Sequence, residues 1–397
     1  MSPKHIILWG GWYGSKNVGD QALLLSITDM LGESVEDVEF VVITANPARV
    51  EEYMKRDSIY SFQALHARRQ FGKVVKAFAA ADLFIFGGGV PFYDDISHSL
   101  AIGLLVTLAR LFRVPCILWS VSSQHIRSWL SRAILRYLLS YASVVTCRDT
   151  HTHHLIRECS TGGFSAQIVA DPAFTLRPNE DLEFAQKLLM RAGSPVFERF
   201  VALTPRALRG RDGEVHTHYS PRPTSDRLKE VEVFASVLDW LWENGYQPIF
   251  VPMNTVAPDD DRAIAREIVA HARYGQQALL IDEEVYPREA ENVYCLCHAA
   301  FVARVHGSVM SFLGECPVMM YAFDLKHRGI MEQMGLSDFL FEPEQMRAED
   351  AVLMMSRLLS QREAIQAKMR LKHIELVESA RVPLRGAVEI LTMKRRV

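Results

Sequence analysis

Short apolar runs alternate with segments whose apolar residues recur every three or four positions. The runs at 5–10, 38–44, 82–86, 116–121, 142–147 and 167–170 predict buried strands. Between them, Leu23, Ile27, Met30 and Leu31 fall on one helical face, and Phe71, Val74, Val75 and Phe78 on another. A third stripe carries Ile126, Trp129, Leu130, Ala133 and Tyr137, with Arg127, Arg132 and Arg136 off it. Strands alternating with helices predict βαβ units and a parallel sheet covered on both faces.

The alternation breaks after Asp171-Pro172, and Arg177-Pro178-Asn179-Glu180 reads as a linker. A second series follows. Strands are expected at 200–204, 248–252, 278–281, 301–303 and 318–323. Ser225 can cap a helix bearing Leu228, Val231, Ala235, Leu238 and Trp242, with Gly245 near its end. From Ala348 onward the pattern is helical. The expectation is α/β with two Rossmann-like domains, 1–176 and 177–397, and a helical C-terminus. Residues 207–224 carry Arg209, Arg211, His216 and His218 without periodicity, as a lid or as plain disorder would.

Composition narrows the function classes. The 397 residues suit two domains at ~150 residues each. With 44 basic and 47 acidic residues the formal charge is −3, which argues against a dedicated nucleic-acid binder. The six cysteines form no C-x-x-C pair and read as reduced thiols. The longest charge-free apolar stretch, 96–109, is shorter than the ~18–20 residues that span a bilayer, and the run 6–9 is too short for a signal peptide. A cytoplasmic protein is expected. His151, His153 and His154 are badly spaced for one helical face and read as a helix start, so neither a metal nor a cofactor is expected.

Four motifs could carry chemistry. Gly10-Gly11-Trp12-Tyr13-Gly14 through Asn17-Val18-Gly19-Asp20 joins the first strand to the first helix without forming a Walker A or G-x-G-x-x-G loop. It is either a ligand-approaching turn or a tight turn with Asp20 as helix cap. Gly87-Gly88-Gly89 at a strand's carboxyl end needs a ligand or another backbone close by. Asp94 and Asp95 behind it can bind sugar hydroxyls or simply be solvated. Arg148 in Cys147-Arg148-Asp149 can grip an anion or pair with an acid. Last, Arg304 and His306 are two apart at a strand end and face one side if the strand persists, and Lys326 lies at the next strand end. Arg, His and Lys converging there suit an anion site with an acid/base residue.

In GGWYGSKNVGDQALL, DLFIFGGGVPFYDD, VVTCRD, ADPAF and ARVHGSVMSFLGECPVMMYAFDLKHRGIMEQMGL, spanning 10–336, the chain resembles the polysaccharide pyruvyl transferase family. The resemblance implies a GT-B-like fold with a central cleft, the N-terminal domain on the acceptor side and the C-terminal domain on the donor side. It implies phosphoenolpyruvate as donor, a hexose of a cell-surface polysaccharide or its precursor as acceptor, a sugar or a lipid-linked glycan, and a pyruvate ketal as product. It assigns catalysis to His306 and Asp20, donor binding to Arg148, Arg304, Lys326, Gly88 and Gly89, and acceptor binding to Asn17, Asp94 and Arg206. A glycosyltransferase of the same architecture using a nucleotide sugar is the alternative. A third reading, a non-catalytic sugar binder, gains little from three cations. The basic tail Lys394-Arg395-Arg396 can touch an anionic membrane from the cytoplasmic side or be solvated.

Overall fold

The computed structural model describes residues 3–54, 58–60, 68–160, 166–177, 182–193, 199–206, 224–257 and 259–393. Residues 207–223 of the loop expected over 207–224, the linker core 178–180 and the basic tail lie outside them, and Thr224 opens a helix. The chain forms two compact units. The first holds Met1–Ser15, Asp20–Leu176 and Leu376–Val397, and the second holds Lys16–Gly19 and Arg177–Glu375.

The first unit is built on seven strands, β1 (Lys4–Trp9), β2 (Val38–Thr44), β3 (Ser58–Tyr60), β4 (Leu83–Gly87), β5 (Cys116–Val121), β6 (Ala142–Cys147) and β7 (Gln167–Ile168). Their order is β3-β2-β1-β4-β5-β6-β7, with every pairing parallel. Continuous apolar runs form such strands because helices cover both faces, and β4 and β5 are buried at every residue. β3 has only three residues, too few to show a period. The stripe on 126–137 is out of phase with the structure. The helix begins at Trp129, capped by Ser128, and buries Ser131, Leu135, Leu138 and Leu139, leaving Trp129 78% exposed. Counting apolar residues from ahead of the cap set the wrong face. The last helix, Val382–Thr392, belongs to this unit, where Ala387 and Leu391 join the core of Leu8, Ile117 and Trp119.

The second unit has β8 (Phe200–Thr204), β9 (Gln247–Phe250), β10 (Leu279–Leu280), β11 (Cys297–Val302), β12 (Val318–Tyr321) and β13 (Leu340–Phe341) in the order β10-β9-β8-β11-β12-β13, all parallel. β11 starts four residues before the expected 301, because His298, Ala299 and Ala300 carry no β-branched signal. The helix Thr224–Glu243 starts one residue ahead of Ser225 and leaves Leu228 exposed while burying Val231, Phe234, Ala235, Leu238 and Leu241.

Both sheets are doubly wound, so each reverses its strand order at one point, where such sheets place ligands at the carboxyl ends. In the first unit that point lies between β1 and β4, in the second between β8 and β11. At the first, two turns meet backbone to backbone. A Cβ on Gly10 would stand 2.7 Å from the Gly87 carbonyl oxygen, and one on Gly89 (φ +66°) 2.8 Å from Gly11 Cα. Of the triple glycine, Gly89 thus meets a neighbouring backbone, whereas a Cβ on Gly87 would meet the Tyr13 hydroxyl and one on Gly88 the Leu23 side chain. All six cysteines are free thiols, and burial pushes Cys147 and Cys316 up to about 12. Among the described residues no helix is long and apolar enough to cross a membrane.

Gly89→Ala is expected to lower stability by about 2–3 kcal/mol, from a left-handed φ plus a backbone clash. Gly32→Ala, in the helix Val18–Ser34 with nothing within 4 Å, is expected to raise it by up to about 1 kcal/mol. Urea unfolding of both variants checks the opposite signs.

Candidate active site

The second unit's reversal point gathers the basic residues. Pro205-Arg206 follows β8, Arg304 follows β11, and Lys326 comes after β12, the neighbour of β11. β11 ends at Val302, so Arg304 and His306 do not alternate along a strand. Arg304 is the N-cap of the helix Val305–Leu313, and His306 lies in its first turn. β12 ends at Tyr321, and Lys326 lies in the first turn of the helix Leu325–Gln333, capped by Asp324. The strands yield to helices here because Arg304 and Asp324 adopt extended cap geometry. Both first turns present the positive end of a helix, which favours an anion.

Arg304 is buried, and its planar fork is held by a loop. Nε donates to both Asp261 carboxylate oxygens at 3.0 and 3.2 Å, and Nη2 to Asp261 Oδ1 at 2.5 Å and the Asp259 carbonyl at 3.0 Å. Nη1 donates to Asp259 Oδ2 at 3.0 Å. Asp261 in turn accepts the Met253 and Asn254 amides at 3.0 Å each. The same Asp259 oxygen lies 3.5 Å from Arg206 Nη2, so one carboxylate bridges two guanidiniums. Arg206 also stands over the Phe323 ring at 5.5 Å. Lys326 Nζ is 3.6 Å from Asp324. Burial pushes Asp324 up, but Lys326, then His327 and Arg206, hold it below the usual carboxylate range. Each of these three cations therefore has a carboxylate at hand.

The first motif reaches the same place. Within this unit Asn17 bridges to Asn254, and the Val18 amide donates to the Met253 carbonyl at 2.9 Å. Asn17, not Asp20, caps the first helix, its Oδ1 accepting the Gly19 amide at 2.9 Å. Gly19 is packed so closely on His306 that a Cβ there would overlap the imidazole.

The remaining candidates lie in the first unit. Buried Asp20 sets its carboxylate against Gly11 at that unit's reversal point, where Gly88 and Gly89 have φ of +63° and +66°. Asp94 accepts the Arg127 and Ser128 amides at 2.6 and 3.1 Å and so tethers the turn before Trp129. Arg148 pairs with buried Asp171, which also caps the turn Pro172–Thr175. Its sequence neighbour Asp149 instead caps the helix Thr150–Cys159 and accepts from Ser122.

Two doubly wound parallel units with a helical C-terminus define a GT-B-like α/β protein. Solved structures agree on that fold. The chain is similar to UDP-GlcNAc 2-epimerase from Neisseria meningitidis bound to UDP-GlcNAc, with 8% identity, TM-score 0.58, and 97% of this chain and 100% of that one covered. It is similar to Anabaena HepE in complex with UDP-glucose, with 13% identity, TM-score 0.59, and 96% and 99% covered. UDP-GlcNAc 2-epimerase from Methanocaldococcus jannaschii matches at 12% identity and TM-score 0.58, with 90% and 93% covered. The profile of the polysaccharide pyruvyl transferases matches residues 17–324, and the chain belongs to that family.

Sequence reasoning missed Asp259, Asp261 and Glu230. The run Asp259-Asp260-Asp261 reads as an acidic helix start, and Asp260 does cap Asp261–His271. Nothing in its spacing marks the flanking two as partners of residues some 45 positions on. Glu230 lies inside an amphipathic helix, fully buried, and its Oε1 accepts the Arg206 amide at 2.8 Å. Burial pushes its carboxyl up to about 8, against the pull of that amide and of the Arg206 charge. The folded chain then keeps a proton that the unfolded chain releases near 4.5, so this group's contribution falls as pH rises from about 4.5 to 8. Glu230→Gln lacks that loss. Its stability relative to wild type is expected to rise by up to about 4 kcal/mol between roughly pH 5 and 8 in urea unfolding. An unchanged difference at the two pH values refutes the assignment.

Proposed function

We propose that the protein transfers the pyruvyl group of phosphoenolpyruvate to two hydroxyls of a sugar in a polysaccharide or its precursor, forming a pyruvate ketal and releasing phosphate. The observation that carries this reading is the convergence of Arg206, Arg304, His306 and Lys326 at three neighbouring strand ends of the second unit, in a chain of this family. The donor carries about three negative charges on few atoms, which suits fixed guanidinium and ammonium groups at helix N-termini. Arg206 joins the donor group in this reading, because it shares Asp259 with Arg304. Arg148 lies in the first unit, paired with buried Asp171, and is not one of the residues at these strand ends.

In the proposed reaction His306 delivers a proton to the donor's methylene carbon, leaving C2 electrophilic. One sugar hydroxyl oxygen bonds to C2, phosphate departs with the bridging oxygen, and the second hydroxyl closes the ketal. Of the two hydroxyl protons, one balances the proton taken up by carbon and the other leaves with phosphate. An imidazole, which can both give and accept a proton, suits this exchange. Asp20 is proposed to orient or deprotonate an acceptor hydroxyl, with Asn17 contributing hydrogen bonds.

Phosphate release from phosphoenolpyruvate in a panel of sugars tests the reading. His306→Gln is expected to lose at least about 100-fold in kcat while still binding donor. Full turnover in that variant overturns the role of His306. Gly19→Ala, which displaces the imidazole, is expected to cut kcat about tenfold or more with a smaller change in KM. In thermal-shift assays phosphoenolpyruvate is expected to raise the midpoint and UDP-sugars to leave it in place. The reverse result favours a nucleotide-sugar donor.

A further inference from the structure

We infer that Asp259 is an internal stand-in for the donor's anion: its carboxylate holds the place between the Arg206 and Arg304 guanidiniums that a donor carboxylate or phosphate takes, and the donor binds by displacing it. The inference rests on the anion site proposed above and names what sets its selectivity.

The two aspartates on Arg304 differ in kind. Asp261 is 1% exposed, accepts two backbone amides and takes Nε and Nη2 of the fork, so it is fixed. The Asp259 side chain is 22% exposed, and its Oδ2 faces both arginines. Its backbone carbonyl accepts from Arg304 Nη2 at 3.0 Å and Asn254 Nδ2 at 2.8 Å, and the same Asn254 amide lies a longer 3.4 Å from Oδ2. Rotation about χ1 therefore withdraws the carboxylate, at the loss of the long Asn254 contact, while the bonds of the backbone carbonyl stay in place. What it uncovers is the Nη1 edge of Arg304 beside Nη2 of Arg206, a pair of donors matched to one anionic group. A tethered carboxylate competes at an effective concentration in the millimolar range or above. A single free carboxylate gains nothing by replacing it, whereas a multiply charged donor does. Asp259 thus screens the site against monoanions, pyruvate among them.

Asp259→Asn keeps the shape and removes the competing charge. The variant is expected to bind phosphoenolpyruvate about tenfold more tightly, with KM lowered and kcat little changed. It is also expected to acquire competitive inhibition by pyruvate that wild type lacks. Glu243→Gln removes a charge at the amino edge of the same sheet and controls for net charge. Asp259→Ser, read in the same assays, serves if the amide variant does not fold. A raised KM makes Asp259 a support for the arginines and overturns the inference, and so does an unchanged one. Thermal shifts with inorganic pyrophosphate separate this inference from the donor assignment. Neither protein binding phosphoenolpyruvate, with the variant stabilised more by pyrophosphate, removes the donor and keeps the stand-in. Equal pyrophosphate shifts in the two proteins remove the stand-in.

Discussion

The second unit depends on one buried guanidinium and the loop that grips it. Arg304 sits where β11 gives way to a helix, and Asp261 and Asp259 come from the loop and helix after β9. Their bonds tie these two strand ends across the sheet's reversal point, and Asp259 extends the tie to Arg206 after β8. Removing one partner from such a buried pair strands a charge in a poor solvent, a cost of roughly 3–5 kcal/mol. The loop is committed in turn, since Asp261 also takes the Met253 and Asn254 amides. Fixing the guanidinium this way holds its fork in one orientation at the sheet's reversal point.

That economy has a consequence for electrostatics. A site for a small, highly charged anion is easily pictured as a pocket of bare cations. Here Arg206, Arg304 and Lys326 are each matched by a carboxylate, and buried Glu230 adds an acid beneath Arg206. Bare cations packed this closely would repel one another and oppose folding. Matching them preserves the fold, and the donor binding proposed above then requires a carboxylate that can yield. The two units solve the same topological problem differently. In the first, glycine backbones close against each other at the reversal point with Asp20 alongside, and in the second, charged side chains occupy it.

Most of the architecture was legible from the chain because its signals are local. Apolar runs of five or more residues marked β2, β5, β6 and β8 to the residue. The strands that escaped, β3 and β13, have three residues and two, and owe their existence to a neighbouring strand's free edge. The ends of β11 and β12 were misjudged for a related reason. Extended cap residues look like strand to a pattern reader, and only the hydrogen bonds decide where the ladder stops.

The site divides along the same line. Sequence alone determined the approximate position of the basic candidates Arg206, Arg304 and Lys326, because a basic residue after an apolar run reports a strand end at the sheet's mouth. The order of the motifs was enough to point to the family. Tertiary structure alone decided which groups touch: Arg148 with Asp171 and not its neighbour Asp149, Arg304 with Asp259 and Asp261, Gly19 with His306. Pairings between residues tens or hundreds of positions apart leave no periodic trace in a single chain. They are set by how sheets stack their strand ends, and a carboxylate's partner is whichever guanidinium folding brings within reach.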